Sequence, residues 1–338
     1  MKKTRVGING FGRIGRITTR LMMERPDLEL VAINDLTPTE QNAQLLKFDS
    51  VHGRLKEDVK AGKESMQIGS KDIKVFSKKD PAEIPWKDLG VDIVFESTGI
   101  FTGFDGASKH LAAGAKKVII SAPCKDDDKI RTFVYGINHE SYNAKENHIV
   151  SNASCTTNCL APVVKVLHDN FKVQRGLMTT IHSYTNDQRI LDLGHSDVRR
   201  MRAAALNMIP TSTGAAKAVT LVIPELKGKL TGTSVRVPTP NVSLVDFVGD
   251  LGKSVTVEEV NNAFIRASES GPLKGVLSAV KMQLVSSDYN GDRHSSSIDL
   301  DCTMVVDGTM VKVLSWYDNE TGFSSRMLDL AGFISSKL

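Results

Sequence analysis

The chain predicts an α/β protein in which a doubly wound parallel sheet is joined to a second, α+β domain with a mixed or antiparallel sheet. Three observations support this. Short apolar strands alternate with helical stretches up to about Ser151. Gly10-Phe11-Gly12-Arg13-Ile14-Gly15 directly follows the first strand. Beyond Cys155 the strands lengthen and alternate more openly.

The expected strands of the first part are Arg5 to Asn9, Leu28 to Asn34, Ile73 to Phe76, Val91 to Glu96, Lys117 to Ile120 and His148 to Ser151. Helices such as Ile14 to Met23 and Gly106 to Ala113 fall between some of them, and right-handed crossovers would wind them into one parallel sheet. In the second part, strands are expected at Thr179 to Ser183, Gly232 to Val237, Val242 to Asp250 and Met310 to Tyr317. The Asp307-Gly308 pair favours a two-residue hairpin turn that would make the last two strands neighbours. Helical periodicity returns from Ser324 to Ile334. The expected division is a dinucleotide-binding domain over residues 1–153, a catalytic domain over 154–318, and a final helix over 319–338 packing back onto the first.

The glycine motif gains weight from its setting. The strand after it ends at Asp35, twenty residues past Gly15, where a carboxylate can accept hydrogen bonds from ribose hydroxyls. Gly10, Gly12 and Gly15 allow a tight turn and close backbone approach, and the helix amino terminus receives a pyrophosphate. Asp35 repels a 2'-phosphate, so NAD is favoured over NADP. Thr98, Gly99 and Ser121 end later strands on the edge where such sheets bind ligands.

Composition excludes other classes. At 338 residues the chain exceeds what one core usually serves. No apolar run approaches the ~18 residues of a membrane span, and the basic start at Lys2, Lys3 and Arg5 meets Asn9-Gly10 too soon for a signal peptide. A net charge of +4 is spread among 39 acidic residues without a basic run, so a local anion site is a better reading than nucleic acid. Four cysteines (Cys124, Cys155, Cys159, Cys302) form neither a disulfide framework nor a metal-ligand spacing, and reduced thiols fit a cytoplasmic protein.

Cys155 is the prime nucleophile candidate. His148-Ile149-Val150 reads as a strand, and Leu160, Val163, Val164, Leu167 and Phe171 recur at helical spacing. The cysteine therefore sits in a helix's first turn, where unpaired N–H groups favour thiolate. Pro162 should kink that helix or mark a broken first turn. His182, at the end of a strand, is the natural partner as thiol activator and general acid/base. The run Pro210 to Lys217, with Thr213 and Gly214 before an Ala-rich helix, suits a phosphate site or an N-cap. Arg236, between apolar neighbours, would be costly to bury without an anionic partner, either a substrate phosphate or a structural carboxylate.

These residues together resemble the phosphorylating glyceraldehyde-3-phosphate dehydrogenase family. The resemblance spans essentially the whole chain. It rests on Val6 to Arg16, Ser151 to Pro162, His182 to Gln188, Thr211 to Lys217, Arg236 to Pro240 and Tyr317 to Glu320. It implies that Cys155 attacks the aldehyde of glyceraldehyde 3-phosphate with help from His182, that hydride passes to NAD, and that inorganic phosphate resolves the thioester to an acyl phosphate. It further implies Thr185 and Arg236 for the substrate phosphate, and Ser154, Thr156, Thr213 and Gly214 for the incoming one. For NAD it implies Arg13, Ile14, Asp35, Lys79, Ser121 and Asn319, with Asn319 on the nicotinamide amide. A homotetramer is also implied, the segment Tyr184 to Ala204 lying between subunits, and no metal is expected.

The chain departs from the family pattern at Gly194, where NAD-specific relatives commonly have proline, at Thr321 in place of a tryptophan, and at Lys79 in place of an arginine. The rival readings are erythrose-4-phosphate dehydrogenase, aspartate-semialdehyde dehydrogenase, and a non-catalytic redox-sensing or binding protein on the same fold. Cys155 and Cys159, one helical turn apart, keep the last one open.

Overall fold

The structure, a computed structural model, describes residues 3–338; Lys2 of the basic amino terminus lies outside the described residues. The chain divides into two compact units. Among the described residues, one comprises 3–133, 139–153 and 324–338, and the other 134–138 and 154–323.

The first unit is built on a nine-stranded sheet in the order Arg131–Thr132, Ile149–Ser151, Lys117–Ile120, Ile93–Glu96, Thr4–Asn9, Leu28–Asn34, Lys71–Phe76, Ser65–Ile68, Val59–Ala61. The first seven are mutually parallel. Each expected strand is present within two residues of its predicted ends. Two further strands close one edge through antiparallel pairings: Ser65–Ile68 runs against Lys71–Phe76 and Val59–Ala61 runs against Ser65–Ile68, so the sheet is not wholly parallel. The central strands are buried on both faces and read as continuous apolar runs, as in Ile93–Glu96 and Lys117–Ile120. Helices Arg13–Met22, Thr39–Lys47 and Phe104–Ala112 alternate with the strands. The strand order reverses direction between Thr4–Asn9 and Ile93–Glu96, which makes the carboxyl ends of these two strands the switch point where ligands bind. The last fifteen residues return to this unit, where Phe333 packs edge-on against His139, ring centroids 4.9 Å apart.

The second unit holds a seven-stranded sheet in the order Ile209–Ser212, Leu230–Val237, Val173–Ser183, Ser243–Leu251, Met310–Tyr317, Ser296–Val306, Leu277–Val280. It is mixed. Val173–Ser183 is parallel to Leu230–Val237 and antiparallel to Ser243–Leu251. The last two long strands pair as expected, but Val306 faces Met310, so the hairpin loop has three residues, with Asp307 and Gly308 both at positive φ. Helix Cys155–Phe171 lays Leu160, Val163, Val164 and Leu167 into the core. It runs unbroken through Pro162, so the expected break in the first turn is absent.

Candidate active site

In the first unit, buried polar side chains tie the strand ends together. Trp86 Nε1 donates to His110 Nδ1 at 3.0 Å, which leaves Nε2–H to donate to Glu96 Oε2 at 2.9 Å. The same Glu96 oxygen accepts from Asn9 Nδ2 at 2.6 Å, Asn9 Oδ1 accepts from Asn34 at 2.8 Å, and Asn34 Oδ1 accepts from the Lys78 backbone N–H at 2.8 Å. Every member is satisfied, so the network fixes the origins of the loops at Gly10, Asp35, Lys78 and Thr98.

Gly10 has φ +93, and a Cβ there would meet Thr98 N at 2.6 Å; one on Gly15 would meet the Gly10 carbonyl at 2.3 Å. Gly12 differs, because nothing lies within 4 Å of where its Cβ would be. It is the N-cap of helix Arg13–Met22, which has neither a side-chain cap nor an acidic residue in its first turn. An open space in front of uncapped N–H groups fits a pyrophosphate. Asp35 accepts from Phe11 N at 2.6 Å and Thr37 N at 2.8 Å, which holds the glycine loop against the second strand and keeps lone pairs for ribose hydroxyls. Beside it, Thr37, Phe76 and Lys78 line a cleft.

The other dinucleotide candidates are placed less distinctively. Arg13 is paired with Asp49, whose carboxyl burial would raise but which hydrogen bonds from Arg13 and from the His52 and Val51 N–H groups bring down to about 2. Thr98 bonds Glu96 through its N–H at 2.8 Å, Gly99 has φ +73, Ser121 donates its N–H to Glu96 O at 2.9 Å, Ile14 is half-buried and Lys79 is exposed.

In the second unit, Cys155 is the first residue of its helix, and Ser154 caps it by accepting from Thr157 N at 3.0 Å. Cys155 keeps part of its surface open, whereas Cys159, one turn on, is fully buried against Ser315. Cys155 Sγ stands 3.6 Å from His182 Nε2. The sheet register makes His182 the direct neighbour of Arg236, and Arg236 Nη1 lies 2.8 Å from His182 Nδ1 and donates to the Ser183 carbonyl at 2.9 Å. No carboxylate pairs with Arg236 among the described residues, and its Nε is buried without a partner. Of the two partners left open for it in the sequence, the structural carboxylate is therefore missing.

The electrostatics of this trio oppose one another. Burial pushes the Cys155 thiol up, while the Arg236 charge and the Thr156 hydroxyl and N–H pull it down, with a net upward direction. Burial and Arg236 together hold His182 at about 3, a neutral ring at physiological pH. The helix terminus alone therefore does not leave a resting thiolate, and the thiol needs the imidazole beside it.

Thr156 Oγ1 and Thr180 Oγ1 each bond the Tyr317 hydroxyl at 2.9 Å, clasping the helix to the sheet. Thr185 and Thr213 are half-buried, the latter accepting from Ala215 N at 3.2 Å, and Gly214 leaves open space before helix Ala215–Val222. Arg200, outside the site residues expected from the sequence, bonds Asp187 at 2.6 Å and Thr211 Oγ1 at 2.9 Å between the Thr185 and Thr213 segments. Asn319 Oδ1 accepts from Ser183 Oγ at 2.8 Å and Ser243 Oγ at 2.9 Å. Tyr317, Ser183 and Ser243 were also missed. Their partners lie far away in sequence, so only the strand register reveals them.

Comparison with known proteins decides the ancestry of this geometry. Residues 4–104 match the glyceraldehyde 3-phosphate dehydrogenase NAD binding domain, and residues 154–319 match the C-terminal domain of the same enzyme. This chain belongs to the glyceraldehyde-3-phosphate dehydrogenase family. It is 61% identical to glyceraldehyde-3-phosphate dehydrogenase 1 of Bacillus cereus over 99% of both chains, and 60% identical to the Geobacillus stearothermophilus enzyme over 98% of both. The Streptomyces coelicolor enzyme is 55% identical over 99% of both chains. Family membership makes the glycine-loop unit an NAD-binding Rossmann domain and NAD the cofactor, in agreement with the open space at Gly12. Among the described residues no helix is long and apolar enough to cross a membrane.

Proposed function

We propose that the chain oxidises D-glyceraldehyde 3-phosphate with NAD and inorganic phosphate to 1,3-bisphosphoglycerate in glycolysis or gluconeogenesis. The observation that carries this reading is one row of side chains: Cys155 Sγ 3.6 Å from His182, and an Arg236 without a carboxylate partner 2.8 Å from the same ring. Cys155 sulfur attacks the aldehyde carbon, and His182 returns a proton to the oxygen, giving a thiohemiacetal. His182 then removes the hydroxyl proton as hydride leaves the carbon, and a thioester remains. NAD, when bound, supplies the acceptor for that hydride. A phosphate oxygen attacks the thioester carbon, the C–S bond breaks, and the thiol is regenerated.

Arg236 and Thr185 take the substrate's phosphate; Ser154, Thr156, Thr213 and Gly214 take the incoming one. A phosphate that draws Arg236 away from Nδ1 lets Nδ1–H donate to the Ser183 carbonyl, 2.7 Å off, and turns Nε2 into the acceptor that the thiol requires. Gly10, Gly12, Arg13, Ile14, Gly15, Asp35, Lys79, Thr98, Gly99, Ser121 and Asn319 serve NAD. The dinucleotide-binding and catalytic parts are residues 1–153 with the final helix, and residues 154–318. The enzyme works in the cytoplasm as a homotetramer. In support of that assembly, the segment after Tyr184 exposes Ile190, Leu191, Leu193, Val198, Leu206 and Met208.

The test is the initial rate of NADH formation from glyceraldehyde 3-phosphate and NAD with and without inorganic phosphate. Strong phosphate dependence is expected; a phosphate-independent rate would replace acyl transfer with hydrolysis and overturn the reading.

A further inference from the structure

Asn319 carries a side-chain amide whose orientation is dictated by two buried serines. Ser183 and Ser243 are 0% and 2% exposed, on neighbouring strands. Ser243 Oγ already accepts the Ser183 backbone N–H at 3.1 Å, so its one hydrogen must go elsewhere, and Asn319 Oδ1 is the acceptor 2.9 Å away. Ser183 Oγ gives its hydrogen to the same oxygen at 2.8 Å. Both lone pairs of Oδ1 are thereby used. Rotating the amide by half a turn would make both hydroxyls accept from Nδ2–H and take away the acceptor of their own hydrogens, for which only the Ser183–Ser243 contact at 3.4 Å would remain, while Oδ1 would lose both donors.

The backbone around Asn319 is pinned as well. Asp318 accepts from the N–H groups of Glu320 at 2.9 Å and Thr321 at 2.8 Å through one oxygen, and from Gly291 N at 2.7 Å through the other. Asn319 Nδ2, by contrast, makes no hydrogen bond among the described residues. Its two N–H groups form the one part of the side chain left for a ligand.

We propose that Ser183 and Ser243 are positioning residues that fix Asn319 as a pure hydrogen-bond donor, so that it reads the carbonyl oxygen of the nicotinamide carboxamide. This rests on the proposed role of Asn319 toward NAD. The serines contribute nothing to the adenosine and pyrophosphate parts of the cofactor. They act only through Asn319, and only on a ligand that carries the carboxamide. Losing them lets the amide turn over and present Oδ1, which repels a carbonyl oxygen.

The experiment is titration calorimetry of the full-length enzyme with NAD and, separately, with ADP-ribose, which lacks the nicotinamide ring. Variants are Ser243→Ala, the double variant Ser183→Ala/Ser243→Ala, and Asn319→Ala. In the double variant the NAD dissociation constant should rise about tenfold while that for ADP-ribose changes less than about twofold, as expected for a lost, directed hydrogen bond. Ser243→Ala should fall between; unchanged ADP-ribose binding certifies the first unit, and an unchanged rate of Cys155 alkylation certifies the second. If both ligands weaken alike, the serines are merely structural and the proposal fails. If Asn319→Ala weakens NAD selectively but the serine variants do not, the lock is wrong while the role of Asn319 stands. If Asn319→Ala spares NAD as well, the role of Asn319 itself is overturned.

Discussion

Arg236 points a guanidinium nitrogen at the side of the His182 ring that faces away from Cys155, 2.8 Å from Nδ1, because parallel pairing of their strands makes the two residues direct neighbours. Burial first, and then a permanent cation so close, keep the imidazole neutral, while the same cation favours a nearby thiolate. The two effects act on opposite members of one proton-transfer pair, so the site is balanced by the charge state around Arg236.

Removing either half of the pair should separate these effects. Cys155→Ser is expected to lose at least about 10⁴-fold in turnover, since an alcohol is not ionised near neutral pH. His182→Asn should slow acylation about 10²- to 10³-fold and shift the pH profile of iodoacetamide alkylation upward. An alkylation profile unchanged by the histidine substitution would mean that the two residues do not share a proton.

The neutral His182 also leaves a mark on acid stability. Its folded value of about 3 lies below the ordinary 6.5, so as pH falls the unfolded chain gains a proton that the folded chain refuses. Stability present above 6.5 is therefore lost between 6.5 and about 3, amounting to about 2 kcal/mol by pH 5. Urea unfolding at pH 7 and pH 5 should show a smaller acid loss in His182→Asn than in the parent; equal losses would show that the ring is not held neutral.

Arg236→Leu should cost about 10²-fold in kcat/KM for glyceraldehyde 3-phosphate, because a bidentate anion contact is lost. The apparent alkylation pKa of Cys155 should rise in the same variant. Unchanged kinetics would remove Arg236 from the substrate site, even if the thiol responded.

Gly12 and Gly15 should respond differently to the same methyl group. Gly15→Ala drives Cβ into the Gly10 carbonyl, 2.3 Å away, and should destabilise the protein by about 3 kcal/mol. Gly12→Ala meets no protein atom, so thermal unfolding should be unchanged while NAD affinity falls about 100-fold. Wild-type affinity in Gly12→Ala would place the pyrophosphate elsewhere.

Tyr317→Phe deletes the hydroxyl that two buried threonines share. Denaturant unfolding should show a loss of about 1 to 3 kcal/mol, the cost of leaving those hydroxyls unpaired. A loss below about 0.5 kcal/mol would mean that they find other partners.

Local chemistry made much of this molecule readable in one dimension. The central parallel strands are near-continuous apolar runs, the glycine loop has a strand before it and Asp35 after it, and Cys155 follows a strand and begins a helical period. The antiparallel edge of the first sheet was missed because Val59–Ala61 and Ser65–Ile68 are only three and four residues long, too short for their alternation of apolar and polar side chains to stand out. Pro162 leaves its helix unbroken because its missing N–H costs less in a buried helix held by Leu160, Val163 and Val164 than it would in isolation. Ser243 and Tyr317 carry no signal of their own. They matter through Asn319 and Thr156, and sequence distance hides such pairs.

Residues 324–338 complete the unit that residue 3 begins, so this fold imposes an order on its own birth at the ribosome. The amino-terminal portion emerges first but is sealed late, with the faces of His139 and Tyr142 waiting until Phe333 has been made. A nascent chain stalled before residue 324 would be caught with that seam open.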